Sequence, residues 1–169
     1  MKPELRDSIL KLLDSHRLMT VATNRPDGWP QATIVAYVND GLLLYFFVAR
    51  LSQKYGNVVR DPRVSVAIGG DFADPADIKG LSLAGKASAV TSNVEFEHVV
   101  PMFLKRFPEY ADWPRPQPSL APLMRITPEI VSVLDYSKGF GHSDLVTVED
   151  GDLKTFLRAT PSDWLGSRS

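Results

Sequence analysis

Short apolar segments separated by polar turns dominate the pattern of hydrophobic and polar positions in this chain. Each segment has the length and the β-branched or aromatic content of a β-strand. We therefore predict strands at residues 18–23, 31–38, 42–48, 63–68, 78–91, 123–136 and 145–148. Pro128 interrupts the segment at 123–136, which is either one strand or a pair of strands.

Helical periodicity is confined to three places, residues 3–16, 53–60 and 93–107. In the last of these the apolar stripe predicted to be buried consists of Phe96, Val99, Val100, Phe103 and Leu104. Six or more short strands with so few helices predict a mainly β fold, an antiparallel β-barrel with peripheral helices, and not a doubly wound sheet.

Two glycines in the fifth predicted strand, Gly80 and Gly85, indicate bulges or close approaches of a neighbouring backbone. The whole of residues 1–158 is expected to form one domain, because 169 residues suit a single core. The tail at 159–169 is expected to be loosely packed.

Composition narrows the classes of function. The net charge of −1 gives no electrostatic reason to expect binding to nucleic acid or to an acidic membrane. The chain has no cysteine, which excludes disulfides, thiolate catalysis and cysteine metal sites. It has no apolar run of membrane-spanning length, and charged residues interrupt the N-terminus where a signal peptide would be apolar. We therefore expect a cytoplasmic protein.

A cluster of polar side chains follows the third predicted strand. Arg50, Ser52, Gln53 and Lys54 lie within five positions, and Ser52 suits the N-cap of the helix at 53–60. Free N–H groups at a helix start favour an anion, and a hydroxyl, an amide and cations would complete a seat for a monophosphate. The more frequent meaning of such a pattern is a capped helix with solvated basic side chains, so both interpretations stay open at this point.

Motifs for other chemistry are absent. The chain contains neither a dinucleotide-binding glycine motif nor a Walker A motif, and no hydrolase or zinc-protease motif. The three histidines, His16, His98 and His142, are far apart, and nothing indicates a metal site. Any reaction would then depend on an organic cofactor with a phosphate and a flat apolar part, and flavin mononucleotide (FMN) has both.

Four motifs in order resemble the FMN-binding split barrels of the pyridoxamine 5'-phosphate oxidase-like family. They are Ala22-Thr23 before Asp27-Gly28-Trp29-Pro30, then Ser52-Gln53-Lys54, Asp61-Pro62-Arg63-Val64 and Gly85-Lys86-Ala87. The likeness covers about residues 5–91. It implies a six-stranded antiparallel split barrel that forms a homodimer with FMN sites at the interface.

The resemblance also implies which residues would hold the cofactor. Ser52, Gln53 and Lys54 would bind the phosphate, and Arg50 would replace a cation that the family carries elsewhere. Residues of the second and third strands would line the ring and the ribityl chain, namely Ala32, Thr33, Ile34, Val35, Phe47, Val48 and Ala49. From the second subunit we expect Trp113, Phe140 and His142 to close the site, and no residue is singled out as catalytic.

The chain departs from the vitamin B6 oxidases at the second strand. Residues 31–36 carry no cation there, and Lys138-Gly139-Phe140-Gly141-His142 stands where those enzymes have Trp and Arg. The sequence therefore predicts an FMN-dependent oxidoreductase with a small-molecule substrate or electron donor other than pyridoxamine phosphate. The alternatives are a non-catalytic flavin- or heme-binding carrier or sensor, or a barrel that acts through dimer contacts alone. Heme and a deazaflavin are the alternative cofactors, since relatives that bind them share the barrel.

Overall fold

A computed structural model describes residues 1–153 of the chain. The end of the predicted domain at 154–158 and the predicted tail at 159–169 lie outside the described residues. The described residues contain three α-helices, α1 (Pro3–Ser15), α2 (Gln53–Arg60) and α3 (Asn93–Arg106). None of the helices in this part of the chain is long and apolar enough to cross a membrane.

Within residues 1–153, eight strands form one antiparallel sheet. They are β1 (Leu18–Asn24), β2 (Pro30–Ala36), β3 (Val38–Asp40), β4 (Leu43–Phe47), β5 (Arg63–Gly69), β6 (Lys79–Ala89), β7 (Leu123–Asp135) and β8 (Ser143–Thr147). Their order is β2-β1-β5-β6-β7-β4-β3, and β8 also pairs with β7.

The strand order requires a curled sheet. The strands β2 and β3 stand at opposite ends of the order, yet Tyr37 is the only residue between them. The two ends must therefore lie next to each other. No hydrogen-bonded ladder joins β2 to β4 within residues 1–153, so the barrel is split along this line.

The predicted barrel is confirmed, but its strand count of six is wrong, since the described residues contain eight strands. The segment at 31–38 divides at Tyr37, because its first part pairs with β1 and its last part with β4. The segment at 123–136 stays one strand that passes Pro128 through a register shift. On one side β7 pairs with β4 in its first half and with β8 in its second half.

Tyr37 is fixed at the crossing point by several contacts. Its side chain is fully buried, and its hydroxyl donates a hydrogen bond of 2.7 Å to the carbonyl of Leu13 in α1. Its backbone N–H donates to the carbonyl of Arg17. The guanidinium of Arg106, at the end of α3, lies 5.5 Å from the centre of its ring. The turn from one sheet edge to the other is thus held by α1 and α3 together.

A buried carboxylate attaches α3 to the outer side of β4. Glu95 accepts hydrogen bonds from the Tyr45 hydroxyl at 3.0 Å and from Nη1 of Arg125 at 2.9 Å. Tyr45 and Arg125 face each other across the β4–β7 pair. Burial, followed by the charge of Glu95, raises the pKa of Tyr45, so this hydroxyl stays a donor. The network places α3 beside the open line between β2 and β4.

The two glycines of β6 lie at close backbone approaches, as the sequence predicted. A Cβ atom added at Gly80 would lie 2.7 Å from the carbonyl oxygen of Ile68, and one at Gly85 would lie 2.4 Å from that of Thr127. The register of the β6–β7 pair shifts at Gly85, which identifies a bulge there.

We expect Gly85→Ala to lower the free energy of unfolding by about 1–3 kcal/mol, because the new methyl group collides with a backbone carbonyl. Gly56→Ala is the matched control, since an added Cβ in α2 meets nothing within 4 Å. That change should be neutral or stabilising by up to about 1 kcal/mol, as expected for alanine in a helix. Urea denaturation of both variants measures the difference, and equal stabilities would contradict the close approach.

Candidate functional site

The start of α2 has the geometry of an anion seat. Ser52 is the N-cap, and its Oγ accepts a hydrogen bond of 3.3 Å from the backbone N–H of Tyr55. The backbone N–H groups of Gln53 and Lys54 have no acceptor within residues 1–153. These two donors, together with the helix dipole, favour a negative charge in front of the helix.

Lys54 adds a cation in the same turn. Its side chain is half-buried, and no carboxylate of the described residues pairs with it. Burial lowers the pKa of Lys54, because desolvation disfavours the charged ammonium group. An anion at the helix start would supply a partner.

An amide network docks α2 onto the beginning of β2. Nδ2 of Asn57 donates to Oγ1 of Thr23 at 3.0 Å and to Oε1 of Gln31 at 3.2 Å. Nε2 of Gln31 in turn donates to Oε1 of Gln53 at 3.4 Å. The predicted phosphate residues Ser52, Gln53 and Lys54 are thereby placed at one end of β2.

The predicted lining residues of β2 lie on two faces of the strand. Thr33 pairs with Val21 and Val35 with Met19, so their side chains share the face of the barrel interior. The side chains of Ala32 and Ile34 lie on the other face, and Ile34 is 71% exposed. The Oγ1 of Thr33 is buried without a hydrogen-bond partner among the described residues.

The end of β4 supplies apolar and aromatic contacts. The ring of Phe47 lies 4.9 Å from that of Phe103 in α3, and Val48 is buried. Beyond the strand, the N–H of Val48 donates to the carbonyl of Pro122 and that of Arg50 to Leu120. The chain at 48–50 thus runs beside the proline-rich segment at 110–122, and Ala49 is exposed.

The guanidinium of Arg50 is occupied by protein acceptors. It donates to the carbonyls of Ser119 at 2.7 Å and Pro118 at 2.9 Å, and to the Tyr55 hydroxyl at 3.0 Å. Its charge therefore fastens the proline-rich segment to the first turn of α2. Binding of a phosphate by Arg50 stays a prediction.

The three residues expected from a second subunit lie in two different places. Trp113, which is 68% exposed, belongs to the proline-rich segment. Phe140 and His142 lie in the β7–β8 turn, where Phe140 is 95% exposed and Nε2 of His142 is 3.3 Å from Asp144. This turn follows the Asp135 end of β7, whereas Phe47 pairs at the Leu123 end. Within one chain Phe140 and His142 are therefore far from the start of α2.

A cleft of about 640 Å³ opens over the split between β2 and β4. Its walls come from the ends of both strands, from α3 and from the proline-rich segment; they include Val35, Phe47, Val100, Leu104, Tyr110 and Trp113. The sequence did not single out the α3 residues as a site. The prediction that Leu104 is buried was wrong, because this side chain borders the cleft and is 45% exposed. An apolar residue beside the buried stripe of α3 was the feature of the sequence that could have indicated the cleft.

Within residues 1–153 no His, Asp and Glu side chains are grouped so that they could hold a metal ion.

Comparison with known proteins identifies a family. The family model described as pyridoxamine 5'-phosphate oxidase matches residues 5–134. No protein with a curated description matches the sequence. Similar solved structures include a putative pyridoxamine 5'-phosphate oxidase from Listeria innocua, which is 25% identical with a TM-score of 0.64 over 78% of this chain and 98% of that one.

Two further solved structures share the fold at lower identity. A heme-binding protein from Mycobacterium smegmatis is 23% identical with a TM-score of 0.73, over 87% of this chain and 59% of that one. A pyridoxamine 5'-phosphate oxidase-related, FMN-binding protein from Nostoc punctiforme is 18% identical with a TM-score of 0.62, over 90% of this chain and 94% of that one. These likenesses establish the split-barrel fold, and the two proteins bind different groups.

We expect Arg50→Gln to release the proline-rich segment, because it removes charge-assisted hydrogen bonds that contribute about 1.5–3 kcal/mol each. Hydrogen exchange of a peptide spanning residues 111–122 should become roughly tenfold faster or more. Arg63→Gln is the control, since Arg63 is exposed and pairs with its neighbour Asp61. Unchanged exchange in Arg50→Gln would show that the segment is held by its own turns.

Proposed function

Because this chain belongs to the pyridoxamine 5'-phosphate oxidase family, we propose that it is a cytoplasmic FMN-binding oxidoreductase that acts on a small molecule. The observation that carries the proposal is the start of α2. There the half-buried Lys54, which no carboxylate of the described residues pairs with, lies in the same turn as the Ser52 cap and the two backbone N–H groups of Gln53 and Lys54. A phosphate monoester satisfies all of these groups at once.

The other described residues fit the rest of FMN. Thr33 has a buried hydroxyl without a partner, and the free edge of β2 offers backbone donors and acceptors for the polar side of a ring. Val35 and Phe47 supply apolar surface beside it. Bound FMN would supply a ring that accepts a hydride from one small molecule and passes it to another. The protein would bind the phosphate, orient the ring and shield it from water.

Heme is the alternative cofactor, and the chain offers less for it. None of the three histidines borders the cleft. His16 Nδ1 is 2.9 Å from the carbonyl of Leu12, His98 pairs with Asp40, and His142 lies beside Asp144. A phosphate-bearing cofactor therefore fits the described residues better than an iron porphyrin. The same phosphate seat would also accept a deazaflavin.

The double variant Ser52→Ala/Lys54→Ala should weaken FMN binding roughly tenfold or more, because one charge-assisted hydrogen bond contributes about 1.5–3 kcal/mol. Ser88→Ala/Lys105→Ala, at two exposed positions outside α2, is the matched control. Titration of the protein with FMN, followed by flavin fluorescence, measures both. Equal affinities for FMN in the two variants would contradict the proposal that the start of α2 binds the phosphate.

The absorption spectrum of the purified protein separates the alternatives for the cofactor. Flavin bands and the mass of FMN after heat release would support the proposal, and a Soret band would replace FMN by heme. Reduction of the bound flavin by a nicotinamide donor, followed by reoxidation, would distinguish an oxidoreductase from a carrier or sensor. If no nicotinamide donor reduces the bound flavin, the result would favour the non-catalytic carrier or sensor over the oxidoreductase.

The second part of the proposal is a homodimer with its cofactor sites at the interface. The outer face of the β1–β2 hairpin carries exposed Leu18, Ala32 and Ile34, which lie near one another by strand register. Such an apolar face suits a second copy of the chain. Two copies could also bring the Phe140–His142 turn of one chain towards the α2 end of the other.

Light scattering at micromolar concentration should give the mass of a dimer. Ile34→Lys places a charge in the proposed interface and should shift the protein towards the monomer, whereas Val94→Lys at the start of α3 should not. A monomeric mass for the unmodified protein would contradict the proposal that two chains share the cofactor sites. Both variants should keep the circular dichroism of the folded protein, since both positions are exposed.

A further inference from the structure

We propose that the cleft between α3, the proline-rich segment and the ends of β2 and β4 binds an uncharged, flat aromatic molecule. This inference rests on the proposed function, because the molecule would be the substrate that a cofactor ring along β2 and β4 faces. The cleft has a volume of about 640 Å³, which lies in the range of small-molecule sites.

Aromatic rings form one wall from the interior to the surface. Phe103 and Tyr110 line the cleft, and the buried ring of Phe107, which does not line it, lies 6.2 Å from Phe103 and 5.6 Å from Tyr110. Tyr110 is 4.9 Å from the exposed Trp113. The ring of Phe47, at the end of β4, lies 4.9 Å from that of Phe103 in α3. Rings at such separations attract another ring by stacking or by edge-to-face contact, so this wall favours an aromatic ligand.

The charges of the cleft cancel each other. Glu97 and Arg115 are the charged residues among those that line it, and Nη2 of Arg115 is 2.6 Å from Oε1 of Glu97. The same guanidinium lies 5.8 Å from the ring of Phe96. Both side chains are more than half exposed, so the pair lies at the solvent side of the cleft. The other lining residues carry no charge, so an ionised group deeper in the cleft would lose water without gaining an ion-pair partner. The cleft therefore selects an uncharged molecule.

The walls are held in place before a ligand arrives. Arg50 fastens the carbonyls of Pro118 and Ser119, and prolines 114, 116 and 118 restrict the backbone of the segment. Glu95 anchors α3 to β4 and β7. A preformed cleft loses little conformational entropy on binding. Val35 and Phe47, which the sequence assigned to the cofactor, border the cleft, so a ligand there would lie next to the cofactor site.

The experiment compares 2-naphthol with 2-naphthoate, which share the same rings but differ in charge at neutral pH. Isothermal titration of the purified protein should give an affinity for 2-naphthol that is roughly tenfold or more above that for 2-naphthoate. Trp113→Ala and Leu104→Asp should each weaken binding of 2-naphthol roughly tenfold. The matched controls are Trp29→Ala and Val94→Asp, at exposed positions outside the cleft, and they should leave it unchanged.

Absence of 2-naphthol binding would overturn the proposal, and so would either of two further results. One is a lack of selectivity, in which 2-naphthol and 2-naphthoate bind with equal affinity or the cleft variants weaken 2-naphthol binding no more than their controls do. The other is competition between FMN and 2-naphthol, which would identify the cleft as the place of the flavin ring itself. Failure of the proposed function gives a different result, because 2-naphthol would still bind to a protein that does not bind FMN. Conversely, a protein that binds FMN but not 2-naphthol would retain the proposed function without this site.

Discussion

The passage of the chain through Tyr37 is the constraint on which the rest of the structure depends. This residue alone connects β2 and β3, which occupy opposite ends of the strand order, so the sheet must curl until its ends meet. The buried hydroxyl of Tyr37 is bonded to Leu13, and its ring lies under Arg106, so both flanking helices hold the crossing point. The ends meet without forming a ladder, and the resulting split between β2 and β4 provides the cleft.

The candidate site is defined by groups that the fold leaves without partners. Most polar groups around it are satisfied within the chain, as Gln31, Asn57 and Gln53 are by one another. Among the described residues, the exceptions include the ammonium group of Lys54, the first two backbone N–H groups of α2 and the hydroxyl of Thr33. Groups that are desolvated without a partner cost free energy in the empty protein, and a ligand that pairs with them recovers it. This is the physical reason for the proposal that a phosphate-bearing cofactor binds here.

Arg50 joins the two halves of the site. It lies two residues before the Ser52 cap, and its guanidinium holds carbonyls of the proline-rich segment, with Tyr55 of α2 as its third acceptor. The same side chain thereby connects the phosphate seat with one wall of the cleft.

The sequence by itself determined the features that depend on neighbours along the chain. The bounds of α2, its Ser52 cap and the close approach at Gly85 follow from local propensity, capping and the lack of a side chain, and the structure has them as predicted. Only the tertiary structure decided the division of a strand at Tyr37 and the use of Arg50, whose carbonyl acceptors lie 68 and 69 positions away. It also decided that α3 would border a cleft and that Phe140 would lie at the far end of β7. A local sequence pattern indicates which side chains are available at a position. Their partners are decided only when distant strands and loops pack together, and a short window of sequence does not indicate that packing.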